Sequence, residues 1–203
     1  MKYGNQRTAN LLGFFTDPDM QEKREVLQKL IDATPKMNWA LSCSCSLYFR
    51  GIVDEFHDYD IIVEQNSLEE FKEKFSKCGG VLHEGQQNGK ERFFDSKYFA
   101  VGEIGDVDFD IISQFTVQTF KCRYTYALKQ EHIEFVKGIP LCPVETAFIL
   151  YGMMIDWQER RRMKYDMSYE YLDKNGVNYP DILKEAYPYV PKFIGERIDL
   201  LLK

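Results

Sequence analysis

The sequence predicts an α+β fold, a mixed β-sheet with flanking helices over residues 1–140 followed by a C-terminal helical bundle over 141–203. Three observations predict it. Two runs, Asp58-Tyr59-Asp60-Ile61-Ile62-Val63 and Val107-Asp108-Phe109-Asp110-Ile111-Ile112, alternate acid and apolar residues with the period of a strand. Helical periodicity lies before and between them. From Pro143 onward the strand-like patterning gives way to helical patterning with prolines at helix starts.

At 203 residues, the chain is long enough for one domain or one domain with an appendage, and 44% hydrophobic residues suffice for a core. A net charge of −6 argues against a protein that wraps nucleic acid through phosphate contacts. No apolar run approaches the roughly 18 residues of a membrane span. The first ten residues, MKYGNQRTAN, lack the apolar core of a signal peptide. The five cysteines are odd in number and form no Cys-x-x-Cys pair. Reduced thiols and a cytoplasmic location are therefore expected.

Taken in order, residues 8–15 read as a short helix or an ordered arm. Asp17-Pro18 opens a helix, with the aspartate as N-cap and proline at the first helical position. Met20, Val26, Leu27, Leu30 and Ile31 mark its buried face, and Thr34-Pro35 ends it. Trp39-Ala40-Leu41 is a short strand. Ser42 to Ser46 are small residues that allow a sharp turn, and Leu47 to Arg50 resume a helical pattern. Such a turn between strand and helix offers backbone N–H groups to a phosphate.

The strand at 58–63 follows. Alternation puts Asp58 and Asp60 on one face, with Cα atoms roughly 6.5–7 Å apart, and Tyr59 and Ile61 on the other. Two converging carboxylates repel by about 4 kcal/mol at 4 Å and an effective dielectric near 20. Solvation, protonation or a cation relieves that repulsion. Mg²⁺ suits the last, since it takes one or two carboxylates and completes its octahedron with water and phosphate oxygens. Read alone, an Asp-x-Asp is more often an acidic strand end in water, because so short a motif recurs by accident. A small-residue turn just upstream shifts the reading toward phosphate and metal together. His57 reads as a strand-end residue.

Ser67-x-x-Glu70 has the form of a capping box opening a helix to about Cys78, with Phe71 and Phe75 on its inner face and Gly79-Gly80 closing it. Strands are expected at 81–84, 91–94 and 98–101, with turns at Gln86-Gln87-Asn88-Gly89 and at Gly102 to Asp106. The strand at 107–112 again puts Asp108 and Asp110 on one face. Phe115 to Tyr126 reads as extended, and Ile133 to Val136 as a strand before a turn at Gly138. Glu131, His132 and Glu134 read as surface residues. Pro143 opens a helix with a broad apolar stripe, from Ala147 to Ile155. A further helix runs to Asn175-Gly176, and Pro180 and Pro191 begin two short ones. Arg160 to Lys164 is the dense basic cluster. It is either a solvated helix end or a group facing the cleft to hold a triphosphate.

The stretch from Trp39 to Val63 resembles the signature of the nucleotidyltransferase fold, the DNA polymerase beta superfamily, and is similar to bacterial small-molecule and minimal nucleotidyltransferases. Ser44 takes the signature's serine, Arg50-Gly51 its Arg-Gly, and Asp58 and Asp60 its carboxylates. Cys43 stands where the signature has its first glycine, a residue that permits close backbone approach and unusual dihedrals.

The resemblance implies a mixed sheet of that fold and a third carboxylate on the neighbouring strand, Asp110 or Asp108. It also implies transfer of a nucleoside monophosphate from ATP or another nucleoside triphosphate to a hydroxyl acceptor, with release of pyrophosphate. Asp58, Asp60 and Asp110 would hold one or two Mg²⁺ ions. Ser42, Cys43, Ser44, Arg160 and Arg161 would bind nucleotide. The acidic chain favours a small, cationic acceptor over nucleic acid. A binder of the same fold that has lost turnover is the alternative, with Cys43 as its evidence. The preferred base and the oligomeric state stay open.

Overall fold

A computed structural model describes residues 2–85 and 93–203, and the expected turn at Gln86–Gly89 and the start of the strand at 91–94 lie outside them. Helices are α1 (Lys2–Thr16), α2 (Gln21–Ala33), α3 (Cys43–Phe49), α4 (Leu68–Lys77), α5 (Val144–Met154), α6 (Arg161–Asn175), α7 (Pro180–Ala186) and α8 (Lys192–Leu201). Strands are β1 (Trp39–Leu41), β2 (Tyr59–Val63), β3 (Val81–Glu84), β4 (Tyr98–Ile104), β5 (Val107–Ser113), β6 (Phe115–Gln118), β7 (Arg123–Tyr126), β8 (Glu134–Val136) and β9 (Ile139–Leu141). Seven of them form one mixed sheet in the order β3-β4-β5-β2-β1-β9-β8, and β6 and β7 form a separate hairpin. The fold is the α+β arrangement expected, with helices following the sheet. The boundary expected after residue 140 falls within β9.

The periodicities explain the layers. Leu27 and Leu30 of α2 and Phe71 and Phe75 of α4 are buried. The Tyr59 hydroxyl donates to the Lys23 carbonyl at 3.0 Å, so α2 covers the face of β2 opposite its aspartates. Phe71 meets Trp39 at 5.8 Å between ring centroids, and Phe75 meets Phe109 edge-on at 5.2 Å. Helices α3 and α5 pack together, and every residue of both is buried. Asn10 of α1 donates to the carbonyls of Tyr48 and Val53, each at 2.8 Å. That docking requires Gly51, where an added Cβ would lie 2.0 Å from the Arg7 nitrogen.

Several local expectations are corrected. Asp17 does accept the Asp19 N–H at 2.9 Å, but it opens a 3₁₀ turn at Pro18–Met20, and α2 follows from Gln21. Ser67 makes no side-chain cap, because a 3₁₀ turn at Gln65–Ser67 leads into α4 and places Ser67 in helical backbone geometry. Gly102 does not end β4. The strand runs to Ile104, and Gly102 gives room for the Phe75 ring, which a Cβ would approach to 3.1 Å. Phe115–Tyr126 folds into the β6–β7 hairpin. His132 is buried, with Nε2 against Asp181 Oδ2 at 2.8 Å, while Glu134 is half-buried against Arg50. Glu131 is exposed as expected. No helix among the described residues is long and apolar enough to cross a membrane.

Candidate active site

The site begins with the pairing of β1, β2 and β5. Strand β2 runs antiparallel to β1 and parallel to β5, and the parallel register sets Asp60 opposite Asp110. Residue Asp58 lies just before β2. Carboxylate oxygens of Asp58, Asp60 and Asp110 all come within 4.8 Å of one another, each residue half-buried. Asp108 is exposed and outside this group.

The turn from β1 into α3 is fastened to the same place. The Ser42 N–H donates to the Asp60 carbonyl at 2.7 Å, and the Cys45 thiol donates to the Asp58 carbonyl at 2.8 Å. Burial first, and then Asp60, push the Cys45 thiol well up, so it stays a donor. Ser42 is fully buried with its hydroxyl turned toward the Cys43 sulfur at 3.8 Å, inside the protein. Ser44 is also buried, in the first turn of α3.

Cys43 has φ of 48°, in the left-handed region that a side chain disfavours. The backbone thus keeps a glycine-like shape although the residue is cysteine. Holding a non-glycine residue there costs on the order of 1–3 kcal/mol. Cys43→Val, β-branched at this φ, is expected to destabilise the protein by a further 1–3 kcal/mol or so. Cys43→Gly should stay within about 1 kcal/mol of wild type, since relief of strain offsets the added freedom of the unfolded chain. Equilibrium urea unfolding of the two variants checks this; equal losses in both would mean that φ is not what the position selects.

Electrostatics follow from the convergence. Asp60 is surrounded by protein while keeping an opening to the cleft. Its carboxyl is pushed well above the ordinary aspartate range, first by burial and then by Asp58 and Asp110, with Arg161 and Lys164 opposing the shift. Across the cleft, the Arg161 guanidinium lies 5.7 Å from the Tyr151 ring centroid and 5.5 Å from that of Trp157, and Lys164 Nζ lies 5.4 Å from the Tyr151 ring. Of the basic cluster, Arg160 and Arg161 both donate to the Gln158 side-chain oxygen, at 2.8 and 3.2 Å, but Arg160 is exposed whereas Arg161 lines the cleft with Asp60 and Asp110.

Lys164, the last residue of the basic cluster read as either solvated or facing the cleft, stands one helical turn from Arg161. Sequence reasoning missed Tyr151, because its stripe reads as core. It is fully buried, its hydroxyl has no hydrogen-bond partner among the described residues, and Asp60, Cys43, Cys45, Arg161 and Lys164 are among its charged or titratable neighbours.

Apart from Ser96, the remaining wall is apolar. Phe94, Phe99, Ile112, Phe115, Met154 and Trp157 line a cavity of about 60 Å³ against Cys43, Asp60, Asp110 and Arg161. Trp157 meets Phe94 edge-on at 5.1 Å. Three hard oxygen donors with residual repulsion fit Mg²⁺ better than a softer metal.

The chain matches no protein-family model and no curated protein sequence. Solved structures do resemble it. A candidate nucleotidyltransferase from Thermotoga maritima aligns with TM-score 0.52 and 20% identity over 76% of this chain and 94% of its own. The antibiotic-resistance factor ANT(2″)-Ia aligns in solution with TM-score 0.53 and 12% identity over 89% of each chain. Its crystal structure in complex with adenylyl-2″-tobramycin gives 0.51 and 14%, over 74% of this chain and 90% of that one. At these identities the likeness is one of fold.

Proposed function

We propose that this chain, which has the nucleotidyltransferase fold, transfers a nucleoside monophosphate from a nucleoside triphosphate to the hydroxyl of a small molecule. The observation that carries the reading is the convergence of Asp58, Asp60 and Asp110 beside the turn that opens α3. Asp58, Asp60 and Asp110 would hold one or two Mg²⁺ ions. Bound there, the metal would stabilise charge on the oxygens that enter and leave phosphorus.

The protein's own groups supply position and charge. The turn at Cys43-Ser44 would present backbone N–H groups to the triphosphate. Arg161 and Lys164 would neutralise it from the opposite wall, in place of the Arg160–Arg161 pair expected from sequence. Asp110, next to the apolar part of the cleft, would accept the proton of the attacking hydroxyl. The fold neighbour ANT(2″)-Ia, solved with adenylyl-2″-tobramycin, is consistent with a small-molecule acceptor. ATP is the proposed donor and the cytoplasm the proposed location.

A degenerate binder remains the second reading, favoured by the Cys43 side chain in the cleft. Thermal shift with Mg²⁺ and ATP, each alone and together, tests the first. Stabilisation that needs both supports it; no shift with any nucleoside triphosphate would sink it. Binding without pyrophosphate release from any acceptor would favour the second.

Tyr151→Phe offers a finer check. Deleting an unpartnered buried hydroxyl is expected to leave stability unchanged or slightly raised. If that hydroxyl serves a phosphate oxygen, ATP affinity with Mg²⁺ should fall by roughly 1–3 kcal/mol, the worth of a bond to a charged group. Calorimetry finding equal affinity would show Tyr151 to be packing alone.

A further inference from the structure

Resting on the reading above, we propose that Trp157 and Gln158, in the turn between α5 and α6, are positioning residues for the transfer. They hold the Arg161 guanidinium in the cleft so that it meets the triphosphate already oriented. Arg161 is half-buried, and its guanidinium carbon lies 5.5 Å from the Trp157 ring centroid and 5.7 Å from that of Tyr151. Its Nε donates to Gln158 Oε1 at 3.2 Å.

None of these supports is a carboxylate. Other arginines of the helical region have acidic partners: Arg162 is paired with Glu159, and Arg197 with Asp166 at 2.6 Å. A carboxylate would compete with phosphate for the same N–H groups. An aromatic face and an amide oxygen fix the direction of a guanidinium and leave its charge intact. With Nε engaged by Gln158, the two terminal nitrogens of Arg161 donate to nothing among the described residues. Their planar fork suits two phosphate oxygens.

Trp157 is itself fixed. Its ring meets Phe94 edge-on at 5.1 Å and Phe93 at 5.8 Å between centroids. Those two residues are tied to β6, since Phe94 bridges Val117 and the Phe93 carbonyl accepts the Gln118 N–H at 2.8 Å. The backbone N–H groups of Trp157 and Gln158 both donate to the Met154 carbonyl, at 3.1 and 3.0 Å, and the Arg161 N–H donates to the Gln158 carbonyl at 2.8 Å. The turn is thereby anchored to α5, to the β6–β7 hairpin and to the start of α6. An arginine free to rotate loses that freedom on binding phosphate, which weakens binding; here the fold removes much of it beforehand.

The test is calorimetry on the full chain with Mg-ATP and, separately, with inorganic tripolyphosphate and Mg²⁺. Trp157→Leu is expected to weaken both ligands roughly tenfold. Trp157→Phe, which keeps an aromatic face, should stay within about threefold of wild type. Gln158→Leu leaves the indole in place, should weaken both ligands roughly threefold, and carries the test if Trp157→Leu does not fold. In an Arg161→Met background either change should cost less than about twofold, because the group they orient is gone. Equal losses with and without Arg161 would overturn the inference, as would unchanged affinity in both single variants. Weakening of Mg-ATP without tripolyphosphate would also overturn it, by assigning Trp157 to the nucleobase. In each of those cases binding of Mg-ATP by wild type leaves the transferase reading standing. Wild type that binds neither ligand removes that reading, and this inference with it.

Discussion

Asp60→Asn is expected to slow nucleotidyl transfer roughly 100- to 1,000-fold, about 3–4 kcal/mol of transition-state stabilisation. The substitution keeps the side chain's shape and removes a charge from the centre of the three-carboxylate group. The same change should stabilise the metal-free protein. Burial and the neighbouring Asp58 and Asp110 raise the Asp60 carboxyl, so its ionised form is disfavoured in the folded state. A folded-state pKa above the unfolded value gives stability that is fully present below about pH 4 and is lost as pH rises through the folded pKa. Asparagine does not titrate. The melting temperature of Asp60→Asn minus that of wild type, without metal, should therefore start near its floor in acid and widen toward neutral pH. Mg²⁺ with ATP should reverse the order by stabilising only the wild type. Melting curves across pH, with and without Mg-ATP, read both effects. A variant that is less stable than wild type at neutral pH without metal would mean that Asp60 is held by attraction, and the metal reading would lose its physical basis.

The acidic strands were legible because a period of two is a local property. What alternation left open was which of Asp108 and Asp110 joins Asp58 and Asp60, since it puts both on one face. The parallel register of β2 against β5 sets Asp110 beside Asp60, and Asp110 converges with Asp58 and Asp60 while Asp108 is exposed, which is a long-range fact. The basic cluster was visible too, but its facing depended on where α6 begins. A start at Arg161 turns Arg161 to the cleft and leaves Arg160 in solvent. β9 escaped notice because Ile139-Pro140-Leu141 is three residues long with a proline inside, features that argue against a strand. The apolar wall was illegible for a different reason. Phe94, Phe115 and Trp157 come from segments far apart in the chain, and only their meeting makes a slot.

Arg50→Met is the variant expected to cost most in folding, about 3 kcal/mol. Arg50 is 4% exposed, and its guanidinium donates to Glu134 at 2.5 Å, to the Ser46 carbonyl at 3.0 Å and to the Ser46 hydroxyl at 2.7 Å. The Ser46 hydroxyl in turn donates to the Cys142 carbonyl at 2.8 Å, so one side chain ties the end of α3 to β8 and to the lead into α5. Removing one partner of a buried pair costs about 3–5 kcal/mol. Glu134 keeps 25% of its side chain exposed and can recover some hydration, which places the expectation at the low end. Glu134→Gln, which keeps a hydrogen-bond acceptor, should cost about 1 kcal/mol. Urea unfolding gives both numbers, and a loss under about 1 kcal/mol for Arg50→Met would mean that the pair is effectively solvated. The same variant also settles what the Arg-Gly of the signature-like stretch does here. Strand β8 lies three places from β2 in the sheet, roughly 14 Å away at strand spacing, so the guanidinium is directed away from the carboxylates. Folded Arg50→Met should consequently keep the Mg-ATP thermal shift of wild type. Loss of that shift in protein that is still folded would place Arg50 in the nucleotide site and not in the scaffold.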